Sequence, residues 1–194
     1  KLQAYDALTY DEFDYNLLKG ELSLKNLKVL DSTTDITASI IELNLAQWEY
    51  ITSKSLRIEH LVADELNVNI KANPETQLEN KASDDIFNQL KIDDIRITNS
   101  MFDYTSKGGK QLLMEGVNLS VKNVEKPLDK TSTWLANETL KIDAESLSYE
   151  MNELHVLQSD EIRFQNQSLA FNAFKLTPVH SKKTYSKYLS KEKD

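Results

Sequence analysis

Alternation of apolar and polar residues dominates the chain. In Glu21–Val29 (ELSLKNLKV), Leu22 and Leu24 take every second position, and Leu27 and Val29 resume after a step of three. Period two sends successive side chains to opposite faces of a strand, so such a run buries one face and leaves the other wet or separately covered. A step of three would throw the second half onto the wrong face; a β-bulge near Lys25 and Asn26 restores the register. The same slip separates Ile58 from Leu61 in LRIEHLVADELNVNI and Ile92 from Ile95 in LKIDDIRITNSMFDY. Its recurrence points to one architectural device.

Those two segments align with each other, Leu56, Ile58 and Leu61 against Leu90, Ile92 and Ile95, and the phrase LKID at Leu90 returns at Leu140–Asp143. This is a weak internal repeat. Further alternating runs are Ile41–Leu45, Val117–Val121, Leu147–Met151, Leu154–Val156, Ile162–Phe164 and Leu169–Phe171. A single strand over Leu56–Ile70 would span about 50 Å at ~3.3 Å per residue, long for a compact sandwich. Lys107-Gly108-Gly109-Lys110 marks a hairpin, and Met151–Leu154 (MNEL) and Gln165–Ser168 (QNQS) mark two further tight turns. The C-terminal half therefore reads as an antiparallel meander.

Helical spacing interrupts the pattern in three short stretches. Ala46–Ser53 sets Trp48 and Ile51 one turn apart, and Ser83–Leu90 offers Ser83 as an N-cap with Asp84 and Asp85 in the first turn. Ser181–Ser190 places Tyr185, Tyr188 and Leu189 on one face of a basic terminal helix. Asn73–Lys81 and Glu125–Thr133 are polar, each contains a proline, and both read as loops. The expected fold is mainly β: a long, curved, largely antiparallel amphipathic sheet, as a groove or a partly open barrel or sandwich, with two or three short helices. Residues 1–194 form a single β-rich domain in this reading.

Composition changes the picture mainly by exclusion. The 194 residues are 40% hydrophobic and 28% charged, with four glycines and three prolines, which removes collagen-like, low-complexity and disordered classes. The formal charge of −8 repels phosphate backbones, so nucleic acid is not an expected partner. The absence of cysteine removes disulfides and thiolate metal sites and leaves the redox compartment open. The chain starts at Lys1 without a signal peptide or a long apolar run, and reads as a fragment of a larger protein whose membrane anchor lies outside it.

Catalytic chemistry finds little support. His60, His155 and His180 are far apart and fit no metal-ligand spacing, so each reads as a surface strand or loop residue. Asp84/Asp85 and Asp93/Asp94 offer paired carboxylates, but helix N-terminal charge and strand-edge solvation explain them more simply. No nucleophile elbow, phosphate loop or dinucleotide fingerprint occurs. Sequons at Asn118, Asn137 and Asn166 are expected by chance in an Asn-rich chain. Phe164, Phe171 and Phe174, with Leu169 and Leu176, suit an apolar groove or a plain core equally well. No enzyme, cofactor or metal is expected.

The run FDYNLLKGELSLKNLKVLDS (Phe13–Ser32), then ASIIELNLAQWEYITSKSLRIEHLVADELNVNI, resembles the N-terminal part of AsmA-like proteins of Gram-negative bacteria, especially the large ones of Bacteroidetes. The ending LAFNAFKLTPVHSKKTYSKYL (Leu169–Leu189) resembles the segment that often closes that region, with Pro178, Ser181, Lys182 and Lys183 matching. His180 and the pair Thr184-Tyr185 depart from its pattern. The resemblance implies a periplasmic protein anchored in the inner membrane, with a groove-like sheet related to bridge-like lipid-transfer proteins and a role in outer-membrane biogenesis. It carries no catalytic residue across. The expected function is a non-enzymatic envelope module that holds lipid on Leu22, Leu24, Ile58, Leu61, Ile92, Ile95, Ile142 and Phe171. The alternative is a structural β module that docks another envelope protein; an acid-based hydrolase stands behind both.

Overall fold

The computed structural model describes residues 7–47, 56–72, 90–125, 137–152 and 154–178. The strands are β1 (Ala7–Thr9), β2 (Glu12–Asn16), β3 (Glu21–Leu30), β4 (Thr34–Leu45), β5 (Leu56–Asp64), β6 (Asn67–Lys71) and β7 (Leu90–Thr105). They continue as β8 (Gln111–Glu125), β9 (Lys141–Ala144), β10 (Ser146–Asn152), β11 (His155–Ser159), β12 (Glu161–Gln165), β13 (Ser168–Asn172) and β14 (Lys175–Pro178). All belong to one 14-stranded mixed sheet, whose main path is β1-β3-β4-β5-β7-β8-β10-β11-β14. The remaining strands are second halves of interrupted ones. Thus β5 and β6 lie between β4 and β7, and β9 with β10 lies between β8 and the β11–β12 pair. Because β6 pairs with both β4 and β7, as β5 does, the pairing closes into a ring around Glu65 and Leu66.

Chain order and spatial order coincide, as expected when short turns favour neighbouring strands. All ladders are antiparallel except those of β5 and β6 with β7, which are parallel. The aligned phrases of the internal repeat are this parallel ladder: Leu56 faces Leu90, Ile58 faces Ile92 and Leu61 faces Ile95. The returning LKID is not equivalent, since Ile142 lies opposite Leu119 and not in the row of Ile92. The predicted meander is present, with Gly109 at positive φ in the β7–β8 hairpin and both Asn166 and Gln167 in the left-handed region between β12 and β13. Two consecutive left-handed residues make the hairpin turn whose twist matches its strands.

Long strands occur, but Leu56–Ile70 is not one of them: Glu65, at φ +50°, splits it into β5 and β6. The expected helix at 181–190 falls outside the described residues, as do those at 46–53 and 83–90 except for residues 46, 47 and 90; Leu90 opens β7. The loops expected at 73–81 and 125–133 fall outside them too, except for Glu125, which closes β8.

A seam of irregularity crosses the whole sheet. Asn26, Glu65, Asn99, Gly116 and Ala173 all have positive φ; Glu65 and Ala173 sit where a strand is broken, Asn99 and Gly116 where the β7–β8 register slips, and Asn26 within β3 opposite the gap between β1 and β2. In sequence the seam is the step of three, present on every long strand: Leu24/Leu27, Ala38/Ile41, Ala63/Leu66, Ile97/Ser100, Met114/Val117, Ala144/Leu147, Ser159/Ile162 and Phe171/Phe174. One extra residue per strand, left-handed on β3, β7, β8 and in the breaks at Glu65 and Ala173, lets the apolar series resume on its own face. The slips at Ile58/Leu61 and Ile92/Ile95 form a separate line nearer one end, where Glu59 is bulged against β4 and Val121/Val124 repeats the step around Asn123 at φ +54°. The three slips read as one device are therefore two. Adjacent strands must share each break, because an extra residue on one strand alone would put every later pair out of register.

Polar side chains occupy the backbone groups that the seam leaves unpaired. The Ser100 hydroxyl donates to Thr98 O (2.8 Å) and accepts from Leu66 N (3.0 Å), while Ser159 Oγ sits 2.8 Å from Asn172 O and 2.9 Å from Glu161 O. Both serines are buried, so these bonds replace lost ladder bonds where water has little access. Asn26 donates to Asp11 (2.8 Å), and Ser39 donates to Glu65.

Candidate functional site

Register pairs define the two faces residue by residue. One row runs Phe13, Leu24, Ile41, Ala63, Ile97, Leu119, Ile142, Phe164, Leu169, from one edge of the sheet to the other without a polar residue. Beside it runs Tyr15, Leu22, Leu43, Leu61, Ile95, Val121. Across the seam lie Leu8, Val29, Ile36, Val68, Phe102, Met114, Leu147 and, farther along, Ile70, Tyr104, Leu112, Tyr149, Leu157, Leu176. The alternate positions are largely polar, as in the row Asp14, Ser23, Glu42, Val62, Arg96, Ser120, Lys141, Gln165, where Val62 alone is apolar.

The apolar face is closed in the middle and open at its margins. Ile92, Ile95, Val121, Val124 and Leu140 form a buried cluster, joined by the partly buried Ile58, Leu61, Ile97, Leu119, Ile142 and Phe164. Burying a side chain of this size contributes ~1.5–3 kcal/mol, so the cluster is the stability centre of the sheet. The turn before β9 locks it: Thr139 Oγ1 accepts from Lys122 N (2.8 Å) and donates to Lys122 O (3.1 Å), which seats Leu140 on the cluster. Of the residues expected to line a groove, Ile58, Leu61, Ile92, Ile95 and Ile142 belong to this core. Leu22 and Leu24 continue its rows toward the N-terminal edge, half-buried, and Phe171 stands exposed beside Ile162 at the C-terminal edge.

Exposed apolar side chains gather on the outermost strands. Phe13 (53%) and Leu8 (55%) occupy one margin, with Tyr10 packed on Phe13 at 6.2 Å between ring centroids; Leu17 and Leu18 extend from the adjoining turn. Leu169 (54%), Phe171, Phe174 and Leu176 occupy the other, where the Phe171 and Phe174 rings meet edge to face at 5.7 Å. Among residues missed at the sequence level are Leu8, Phe13 and Tyr15. Their alternation was visible, but nothing local distinguishes an edge strand from an inner one.

The polar face carries ion pairs. Arg57 holds Asp93 at 2.7 Å, Arg96 holds Asp94 at 2.9 Å, and His60 approaches Asp94 at 3.6 Å. Strand-edge solvation does not describe Asp93 and Asp94: β7 is an inner strand, and Asp94 is buried. The two neighbouring carboxylates each reach an arginine, although one oxygen of each is left buried without a hydrogen bond. A hollow of 420 Å³ lies nearby, lined by Asp14, Glu42, Asn44 and His60 among others. Among the described residues no group of three His, Asp or Glu side chains is arranged to hold a metal ion.

Near the seam, Asp64 accepts from the Thr98 hydroxyl (2.6 Å) and the Asn99 amide (3.1 Å), which hold its carboxyl below the usual range. Asp31 is lowered likewise, chiefly by the Thr33 N–H at 2.6 Å, in the turn joining β3 to β4. These carboxylates brace turns and breaks.

The chain matches no family model and no curated protein. No described helix is long and apolar enough to cross a membrane. Function has to be read from the sheet itself: one face polar and ion-paired, the other apolar from edge to edge.

Proposed function

We propose that this chain is a non-enzymatic module of the bacterial cell envelope that holds lipid on the apolar face of its sheet. The observation that carries the reading is the unbroken row from Phe13 to Leu169, whose two ends are more than half exposed. Large apolar side chains at the margin of a continuous apolar face are what an acyl chain needs, since each methylene transferred from water contributes ~0.8 kcal/mol. Aligned breaks support a curved, groove-like face, because an extra residue bends its strand and increases its twist. The resemblance to AsmA-like proteins supports a periplasmic setting, an inner-membrane anchor elsewhere in the protein and a part in outer-membrane biogenesis.

Native mass spectrometry and lipid extraction of the purified chain test this. Acyl lipid should co-purify, and Phe174→Asp with Leu8→Asp should remove it while leaving the circular dichroism spectrum unchanged. Protein that emerges free of lipid and takes up no fluorescent fatty acid would sink the reading. A second reading, a β module that docks another envelope protein, is favoured by one observation: both outermost strand pairs lack a neighbour among the described residues.

A further inference from the structure

The two edges of the sheet fit each other. β1 and β2 pair only with β3, while β13 pairs only with β12 and β14 only with β11, so the outer backbone of each edge has no ladder among the described residues. Such edges are templates for another strand. With every step antiparallel except the one onto β7, the edge strands run in opposite directions. A copy displaced along the sheet therefore presents its β13–β14 edge antiparallel to β1–β2.

Register agrees with that arrangement, and charge disfavours the pairing of like edges. Phe13 and Leu169 terminate the same row. Five residues back from Phe13 is Leu8, and five residues on from Leu169 is Phe174, in each case across the seam. A single register therefore sets Phe13 against Leu169 and Leu8 against Phe174, with the breaks aligned. Ala7–Asn16 carries Asp11, Glu12 and Asp14 and no base, whereas Ser168–Pro178 carries Lys175 and no acid. Like edges would oppose carboxylates; in the register above Lys175 faces Ala7 and stays with Asp160 at 2.9 Å, so pairing unlike edges avoids that repulsion without a new ion pair.

We propose that a second copy of this chain docks edge to edge and head to tail, β13–β14 of one copy pairing with β1–β2 of the next, so that the apolar rows run on between copies. Because the two contact surfaces differ, the association is heterologous and repeats. It stands on the edges alone, whether or not the face carries lipid.

The chain has no cysteine, so introduced thiols report contact cleanly. Chains carrying Phe13→Cys and Leu169→Cys are mixed under mild oxidation, with circular dichroism verifying that each is folded. Mixed disulfide dimers should exceed either homodimer at least tenfold, and a chain with both substitutions should give a ladder of multimers. In sedimentation velocity the unmodified chain should gain mass with concentration. Phe13→Lys should weaken this at least tenfold, and adding Leu169→Glu on the same chain should restore it. Homodimers as abundant as mixed ones, or a monomer at every concentration with no cross-link, would overturn the proposal.

Discussion

Gly116 on β8 lies so close to Glu145, the residue between β9 and β10, that a β-carbon on the glycine would fall 2.4 Å from Glu145 Cγ. Its φ of +61° adds a conformation that a side chain resists. Gly116→Ala should therefore cost ~2–3 kcal/mol in urea unfolding. Glu145→Gly in the same chain should recover the contact part and leave the φ penalty. Gly20→Ala should be worse, because the obstacle there is the Leu45 carbonyl oxygen at 2.3 Å, which is backbone, and Leu45 N is itself tied to Gly20 O at 2.9 Å.

Ala173 has φ +48° in the break between β13 and β14, and no side-chain hydrogen bond rewards it for that conformation. An alanine there gives up ~1 kcal/mol that glycine does not. Ala173→Gly should raise the unfolding free energy by ~0.5–1 kcal/mol, a gain that differential scanning calorimetry would register as a higher Tm. Asn99→Val, with φ +50° and a bond to Asp64 to lose, should move stability the other way by a larger amount.

Val121 is fully buried and Leu18 is 95% exposed. Ile95→Ala, beside Val121 in the same cluster, should cost ~2–4 kcal/mol, the lost transfer energy plus that of the cavity. Leu18→Ala should change stability by less than ~0.5 kcal/mol. Equal effects in denaturant titrations would mean that the cluster is not the stability centre.

Asp31 and Asp64 have folded-state pKa values below the ordinary 3.8, so their ionised forms are favoured by folding. Their contribution is complete above that value and is lost as pH falls through the lowered one, since the unfolded chain then binds protons more readily. Urea midpoints should drop across the acid range, and Asp64→Asn should flatten that fall. Lys25 runs oppositely: the Glu12 carboxylate at 2.5 Å raises it above 10.5, so its contribution is complete below 10.5 and fades as pH climbs through the raised value. Lys25→Met should flatten the alkaline limb.

Much of this fold is legible in the chain because period two is a local property. Leu22 and Leu24, or Leu169 and Phe171, declare a strand face without reference to any neighbour, and Gly108-Gly109 and Asn166 declare turns. The step of three at Leu24/Leu27 declares a bulge on one strand. That the same step at Ala63/Leu66, Ile97/Ser100 and Phe171/Phe174 forms one seam is visible only when the strands are laid side by side, since alignment is a relation between strands. The candidate face was legible in the same limited way. All of its expected residues lie on one face, but their division into the core of Ile92 and Ile95 and the exposed margin of Phe171 depends on position across the sheet.

The sequence by itself determined that the chain alternates, where it turns and which side chains share a strand face, for these follow from backbone geometry over a few residues. Tertiary structure decided which strands lie inside and which lie at the edge, and so where apolar surface stays accessible. An inner strand is covered by neighbours on both sides and an edge strand on one only, and no local pattern encodes the number of neighbours.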